Sequence, residues 1–80
     1  METYRNLNGD SGVVAYEIGD DFVAVRFRST GDTYWYTRAS VGARHVAAMK
    51  KLALGGRGLS TYISSHPDVR DGYERKDPAG

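Results

Sequence analysis

The chain has 80 residues and no cysteine, and its 11 Lys and Arg against 10 Asp and Glu give a net charge of +1. These values predict one small domain and exclude a disulfide framework or a thiolate metal site. They also exclude a protein that coats nucleic acid non-specifically, so RNA or DNA binding would need a local basic patch. No apolar run is long enough to cross a membrane and no signal peptide is recognised, which predicts a cytoplasmic protein.

Two strands are predicted in the first half of the chain. Apolar and polar residues alternate over Gly12–Ile18 and again over Phe22–Arg28, as expected for strands with one buried face. A two-residue loop at Gly19-Asp20 suits a type II′ hairpin turn. This loop would place Tyr16 opposite Val23.

The third strand carries three consecutive aromatic residues, Tyr34-Trp35-Tyr36. A four-residue loop, Ser29–Asp32, would connect it to the second strand and place Tyr34 opposite Phe27. Both tyrosines would then face the core, and Trp35 would lie on the outer face, opposite Arg26 and diagonal to Arg28. A change of one residue in register would exchange the two faces.

The second half of the chain predicts helices. Ser40 is a suitable N-cap for a long helix over Val41–Leu54, which Gly55-Gly56 would terminate. Leu59–Ser65 predicts a short helix, and Pro67–Lys76 predicts a further short helix with Gly72 inside it.

The predicted fold is α+β, with a three-stranded antiparallel β-meander packed on one long helix and followed by one or two short helices. Residues 1–10 predict a flexible arm, residues 11–76 a single domain, and residues 77–80 a disordered tail. The residues predicted to form the core are Val14, Tyr16, Ile18, Val23, Val25, Phe27, Tyr34, Tyr36, Val46, Met49, Leu52, Leu59 and Ile63.

Three antiparallel strands followed by helices, with a Tyr-x-Tyr in the last strand, resemble the KTSC domain. This short module occurs at the C-terminus of some lysyl-tRNA synthetases and as small stand-alone bacterial proteins. The matching residues are Ser11-Gly12-Val13, Tyr16-Glu17, Val23-x-Val25-x-Phe27, Tyr34-Trp35-Tyr36, Gly56, Leu59 and Ile63. The sequence departs from the family at Ala39-Ser40-Val41, where a Val-Pro is common, and at Ala53-Leu54-Gly55, where an Ala-x-Ser is common. The family has no established activity, but its attachment to a tRNA synthetase implies RNA binding.

The predicted nucleic-acid-binding residues centre on Trp35, with Arg26, Arg28 and, at the strand end, Arg38. An aromatic ring can stack on a base while guanidinium groups contact phosphates, which is the chemistry that single-stranded RNA requires. The alternative is that Trp35 is covered by the N-terminal arm or a partner subunit, or is capped by Arg26 through a cation–π contact. Tyr34 and Tyr36 are interpreted as mainly structural family residues.

A second basic group is predicted on the helices. Arg57 lies in a Gly-x-x-Gly loop, Gly55–Gly58, and Lys51 belongs to the long helix. Such a loop can approach a phosphate closely, but a helix stop followed by a tight turn explains the same glycines. These residues would join Trp35 only if the helix end lay beside the outer edge of the sheet.

No catalytic residues, cofactor or metal ligands are predicted. His45 and His66 are the only histidines, and no carboxylate is spaced to complete a metal site with them. We therefore expect a non-catalytic domain that binds single-stranded RNA or tRNA through the open sheet face. The alternative function is protein interaction or self-association through the same face, which would bury Trp35.

Overall fold

The computed structural model describes residues 1–7, 9 and 12–79. Within these residues the chain forms one antiparallel sheet, whose spatial order follows the chain order, and four helices. The strands are β1 (Glu2–Thr3), β2 (Val13–Ile18), β3 (Phe22–Phe27), β4 (Thr33–Thr37) and β5 (Arg75–Asp77). The helices lie between β4 and β5 and are α1 (Arg38–Val41), α2 (Ala43–Gly55), α3 (Leu59–Ser65) and α4 (Pro67–Arg70).

The predicted three-stranded meander is wrong, because the sheet has five strands, although the α+β class agrees with the structure. The two additional strands, β1 and β5, come from the expected arm and from the segment that predicted a short helix and a tail. Every residue of both strands is exposed, so neither shows the apolar alternation by which strands are recognised. Short, charged edge strands of this kind protect a sheet from pairing with other chains. Residues 8 and 10 of the expected arm, residue 11 of the first KTSC motif and residue 80 of the tail lie outside the described residues.

The register of both central hairpins differs from the prediction by two residues. Tyr16 pairs with Val25 rather than with Val23, and Tyr34 pairs with Val25 rather than with Phe27. The reason is in the turns. Asp20 and Asp21 rather than Gly19 and Asp20 form the first loop, which the hydrogen bond from Gly19 N–H to the Phe22 carbonyl closes at 3.0 Å. Residues 28–31 rather than 29–32 form the second loop, which the hydrogen bond from Phe27 N–H to the Asp32 carbonyl closes at 3.1 Å. A shift of two residues keeps every side chain on its predicted face.

The two faces of the sheet are therefore as predicted. The inner face carries Val23, Val25 and Tyr36, which are buried, and the outer face carries Trp35 opposite Ala24. A β-bulge between Val13 and Ala15 changes the phase of β2. Val13 is consequently buried in the core, and the prediction that Val14 faces the core is wrong, because Val14 is only partly buried and lies outside the core cluster.

The predicted helix start is also wrong, because Thr37 rather than Ser40 is the N-cap. The Thr37 hydroxyl accepts a hydrogen bond from Ser40 N–H (3.1 Å), while the Ser40 hydroxyl accepts one from Thr37 N–H (3.0 Å). Gly42, with φ of +97°, then separates α1 from α2, a conformation that favours glycine. Helix α2 ends at Gly55, followed by the left-handed Gly56, which confirms the predicted glycine stop.

The core lies between the inner face and the helices. Helix α2 contributes Val46, Met49 and Ala53, and α4 contributes Val69, which is fully buried. All predicted core residues except Val14 belong to this cluster or pack against it. The N-terminal segment adds Tyr4, which is buried and whose hydroxyl accepts a hydrogen bond from Leu59 N–H at 3.3 Å.

Candidate functional site

The outer face of the sheet carries the predicted tryptophan in its central row. That row runs across the strands as Glu17, Ala24, Trp35 and Arg75, and the neighbouring row as Thr3, Ala15, Arg26, Thr33 and Asp77. The ring of Phe22 lies beside Trp35, with ring centroids 5.2 Å apart. A groove of about 260 Å³ opens at this pair, lined by Asp21, Phe22, Trp35, Thr37, Ala39, Glu74 and Arg75. The centre of the face is thus aromatic and its rim is charged.

The C-terminal strand β5 covers part of Trp35. The guanidinium carbon of Arg75 lies 4.4 Å from the indole centroid, and the indole N–H donates a hydrogen bond to the Asp77 carboxylate at 2.8 Å. Arg75 and Asp77 also form an ion pair at 3.6 Å. Trp35 is therefore half-buried, with Arg75 rather than Arg26 against its ring. The sequence does not predict the contacts of Arg75 and Asp77 with Trp35, because the segment of β5 has no apolar alternation. Phe22, in contrast, alternates along β3 with the same outward phase as Arg26, so its place on the outer face is predicted.

The predicted arginines of this face are exposed, and carboxylates offset them. Arg26 lies one row from Trp35, Arg28 follows directly after β3, and Arg38 begins α1 beside the groove. Glu17 and Glu74 lie close by, and the carboxylate of Glu74 accepts a hydrogen bond from the Thr37 hydroxyl at 2.9 Å. The face thus carries a few separate positive charges rather than a strongly basic surface.

Lys51 and Arg57 are exposed in the helical layer. Their elements pack against the inner face through Val46, Met49 and Ala53 of α2. The sheet therefore separates them from Trp35, and the structure does not bring the second basic group together with the first. Their contribution to RNA binding stays a prediction from the sequence.

Tyr34 and Tyr36 occupy the inner face, as predicted. Tyr36 is buried in the core, and Tyr34 is half-buried with the ring of Tyr73 perpendicular to it at 4.8 Å. Lys76 of β5 places its ammonium 5.8 Å from the Tyr34 centroid. Burial, followed by the nearby phenols of Tyr34 and Tyr73, raises the pKa of Tyr36 far above its usual range, so its hydroxyl stays protonated at neutral pH.

A polar group that the sequence did not reveal connects three helices. His45 Nδ1 lies 2.6 Å from the Tyr62 hydroxyl, and His45 Nε2 lies 2.9 Å from an Asp68 carboxylate oxygen. With the proton on Nε2, the imidazole donates to Asp68 and accepts from Tyr62. This hydrogen bond lowers the pKa of Asp68, and burial raises the pKa of Tyr62. The raised pKa opposes ionisation of the phenol, and the two contacts link Tyr62 of α3 and Asp68 of α4 to His45 of α2.

No protein-family model, curated protein or solved structure matches the chain. The resemblance to the KTSC domain is therefore carried by its motifs alone. Among the described residues, no helix combines the length and the apolar character that crossing a bilayer requires. The same residues hold no group of three or more His, Cys, Asp or Glu side chains placed to bind a metal ion.

Proposed function

We propose that the protein is a small non-catalytic, cytoplasmic module that binds single-stranded RNA, including unpaired segments of tRNA, on the outer face of its sheet. The observation that carries this proposal is the Phe22–Trp35 pair, which is half-buried on the sheet face opposite the helices. Aromatic side chains on an open sheet are a recurrent platform for stacking unpaired bases. The KTSC resemblance, with its link to a tRNA synthetase, supports the same class of ligand.

Binding requires that a base replace Arg75 on the indole ring or stack upon its guanidinium plane. An exposed cation–π contact contributes about 0.5–1 kcal/mol, whereas a base stacked on an aromatic ring contributes about 1–3 kcal/mol. Exchange of Arg75 for a base is therefore favourable, and the released guanidinium becomes available to a phosphate. The hydrogen bond from the indole N–H to Asp77 does not involve Arg75, so it can keep the ring oriented while Arg75 leaves.

The charge of the face sets the expected strength and salt dependence. With contacts from Arg26, Arg28 and the released Arg75, about two or three phosphates would be neutralised, which gives a logarithmic salt slope of about −1.4 to −2. Glu17 and Glu74 on the same side limit attraction at longer range. We therefore expect modest affinity that depends on stacking more than on charge.

The test is fluorescence anisotropy of a labelled oligouridylate at low and at physiological salt. Replacing Trp35→Leu should weaken binding by the stacking contribution, about 1–3 kcal/mol, whereas Trp35→Phe should retain most of it. Arg26→Ala should lower the salt slope by about 0.7. Arg44→Ala, which removes an exposed cation of α2 on the other side of the sheet, is the matched control and should bind as the original protein does.

Two outcomes would contradict the proposal. Unchanged affinity of Trp35→Leu would exclude stacking on this ring, and equal losses in Arg26→Ala and Arg44→Ala would indicate non-specific attraction without a defined face. Sedimentation at rising concentration tests the alternative of self-association. A dimer that shields Trp35 from a soluble quencher and binds no oligouridylate would favour the interaction module instead.

A further inference from the structure

A second concave region lies on the inner side of the sheet, between the β3–β4 hairpin and the helices. Its volume is about 430 Å³, which falls within the range of about 300–1,000 Å³ typical of small-molecule sites. Its lining includes four aromatic residues and one ion pair: Phe27, Tyr34, Tyr36, Tyr73, Arg70 and Asp71. The sheet separates this tyrosine pocket from Trp35, so the pocket is independent of the proposed RNA face.

The walls of the tyrosine pocket are mainly aromatic rings held at fixed angles. Tyr34 lies perpendicular to Phe27, with centroids 5.3 Å apart, and perpendicular to Tyr73 at 4.8 Å. It is nearly parallel to Tyr36, with an angle of 15° between the rings. Several rings in mutual contact resist collapse of the pocket, and their faces and edges suit a flat apolar body.

The hydroxyl of Tyr36 is an unused donor in this pocket. The residue is only 1% exposed, and the part of the chain that the structure describes offers its hydroxyl no hydrogen-bond partner. Tyr36 is among the residues that line the pocket, and no wholly buried side-chain N or O atom of the described residues lacks a partner. A mostly buried donor that has no protein acceptor gains most when a ligand oxygen accepts its hydrogen bond.

The rim of the pocket adds one cation and one anion. The guanidinium of Arg70 lies 3.4 Å from the Asp71 carboxylate, and both side chains are more than half exposed. Such a contact contributes little and leaves guanidinium N–H groups available to a planar carboxylate. Asp71 next to it disfavours a second negative charge on the ligand, so a phosphate dianion suits this rim less well than a carboxylate.

We propose that the tyrosine pocket binds a small aromatic monocarboxylate. The ring of the ligand packs among Phe27, Tyr34 and Tyr73, and its carboxylate accepts hydrogen bonds from the Tyr36 hydroxyl and the Arg70 guanidinium. Aromatic contacts provide most of the affinity, and the two polar groups fix the orientation. This is a binding site, and no reaction is assigned to it.

The experiment is a titration of the protein with 2-naphthoate, followed by backbone amide chemical shifts. Saturable shifts are expected at Thr30, Ile63 and Tyr73, which line the pocket. The neutral 2-naphthamide and the dianionic 2-naphthyl phosphate should each bind at least fivefold more weakly. Equal or tighter binding of either compound would overturn the assignment of a monocarboxylate, as would the absence of any shift with 2-naphthoate.

Three variants locate the binding groups. Tyr36→Phe removes only the hydroxyl and should weaken 2-naphthoate about tenfold or more, because a hydrogen bond to a charged carboxylate is lost. Arg70→Gln should weaken it about tenfold, because a charged donor is lost. Arg44→Gln removes an exposed arginine outside the pocket and should leave binding unchanged. Dispersed amide spectra establish that each variant is folded, and unaltered affinity in Tyr36→Phe would overturn the proposal.

Discussion

Gly19 supports the aromatic pair of the outer face, which makes Gly19→Ala a sensitive test of the proposed site. A Cβ at Gly19 would overlap the edge of the Phe22 ring, because this ring lies directly over the glycine. The ring must therefore leave its place beside Trp35. Loss of the aromatic pair costs about 0.5–1.5 kcal/mol, and a displaced rotamer costs about 0.5–1.5 kcal/mol. The alanine also lowers the entropy of the unfolded chain, which offsets about 0.4–1 kcal/mol of this loss. The centres of the three ranges give an expected net loss of about 1.3 kcal/mol.

Urea unfolding followed by Trp35 fluorescence measures this loss, and the folded-state emission reports the changed surroundings of the ring. Gly12→Ala is the matched control, because no described atom lies within 4 Å of a Cβ placed there. In a Phe22→Ala background the penalty of Gly19→Ala should largely disappear, since the clash has been removed. If Gly19→Ala and Gly12→Ala were equally stable, with the same emission, the packing of Phe22 over Gly19 would be refuted.

Three further predictions concern stability. Tyr4→Phe should lower the free energy of unfolding by about 1–3 kcal/mol, because the buried Leu59 N–H loses its acceptor, and chemical denaturation measures it. Burial raises the pKa of Tyr36. Its phenol therefore contributes in full to the free energy of unfolding below about pH 10, the pKa of an unfolded tyrosine, and this contribution is lost as the pH rises further. Tyr36→Phe should reduce the alkaline loss of stability. The hydrogen bond from His45 lowers the pKa of Asp68. The Asp68 carboxylate therefore contributes to the free energy of unfolding above about pH 4, and this contribution is lost as the pH falls through the lowered pKa. In the His45→Gln variant, a carboxyl ¹³C titration should find the pKa of Asp68 in its ordinary range.

Alternation of side chains, together with loop lengths, predicts the inner faces of β3 and β4, but not that of β2, where the bulge brings Val13 rather than Val14 into the core. Val23, Val25 and Tyr36 are buried on the inner face, and Trp35 lies on the other. The turn residues did not determine the register, because Gly19 suits a central position of a hairpin loop yet lies just before the loop, beneath Phe22. The resulting error was two residues in each hairpin, and an even shift leaves both faces intact.

The edge strands and the surroundings of Trp35 could not be predicted for a common reason. Arg75, Lys76 and Asp77 are all exposed and charged, and such a segment carries no apolar pattern that distinguishes a strand from a tail. It becomes a strand because its backbone completes the hydrogen bonds of β4. The contact between Arg75 and Trp35 spans forty residues of sequence and follows only from that pairing.

Strand β5 connects the two proposed sites because its side chains alternate across the edge of the sheet. Arg75 lies on the outer face against Trp35, and Lys76 lies on the inner face near Tyr34. The segment just before it adds Tyr73 to the wall of the tyrosine pocket. A three-residue exposed edge strand is among the least protected parts of a sheet. Arg75 at the proposed RNA face and Tyr73 in the tyrosine pocket therefore belong to one short segment of chain, although the two proposed ligands would share no side chain.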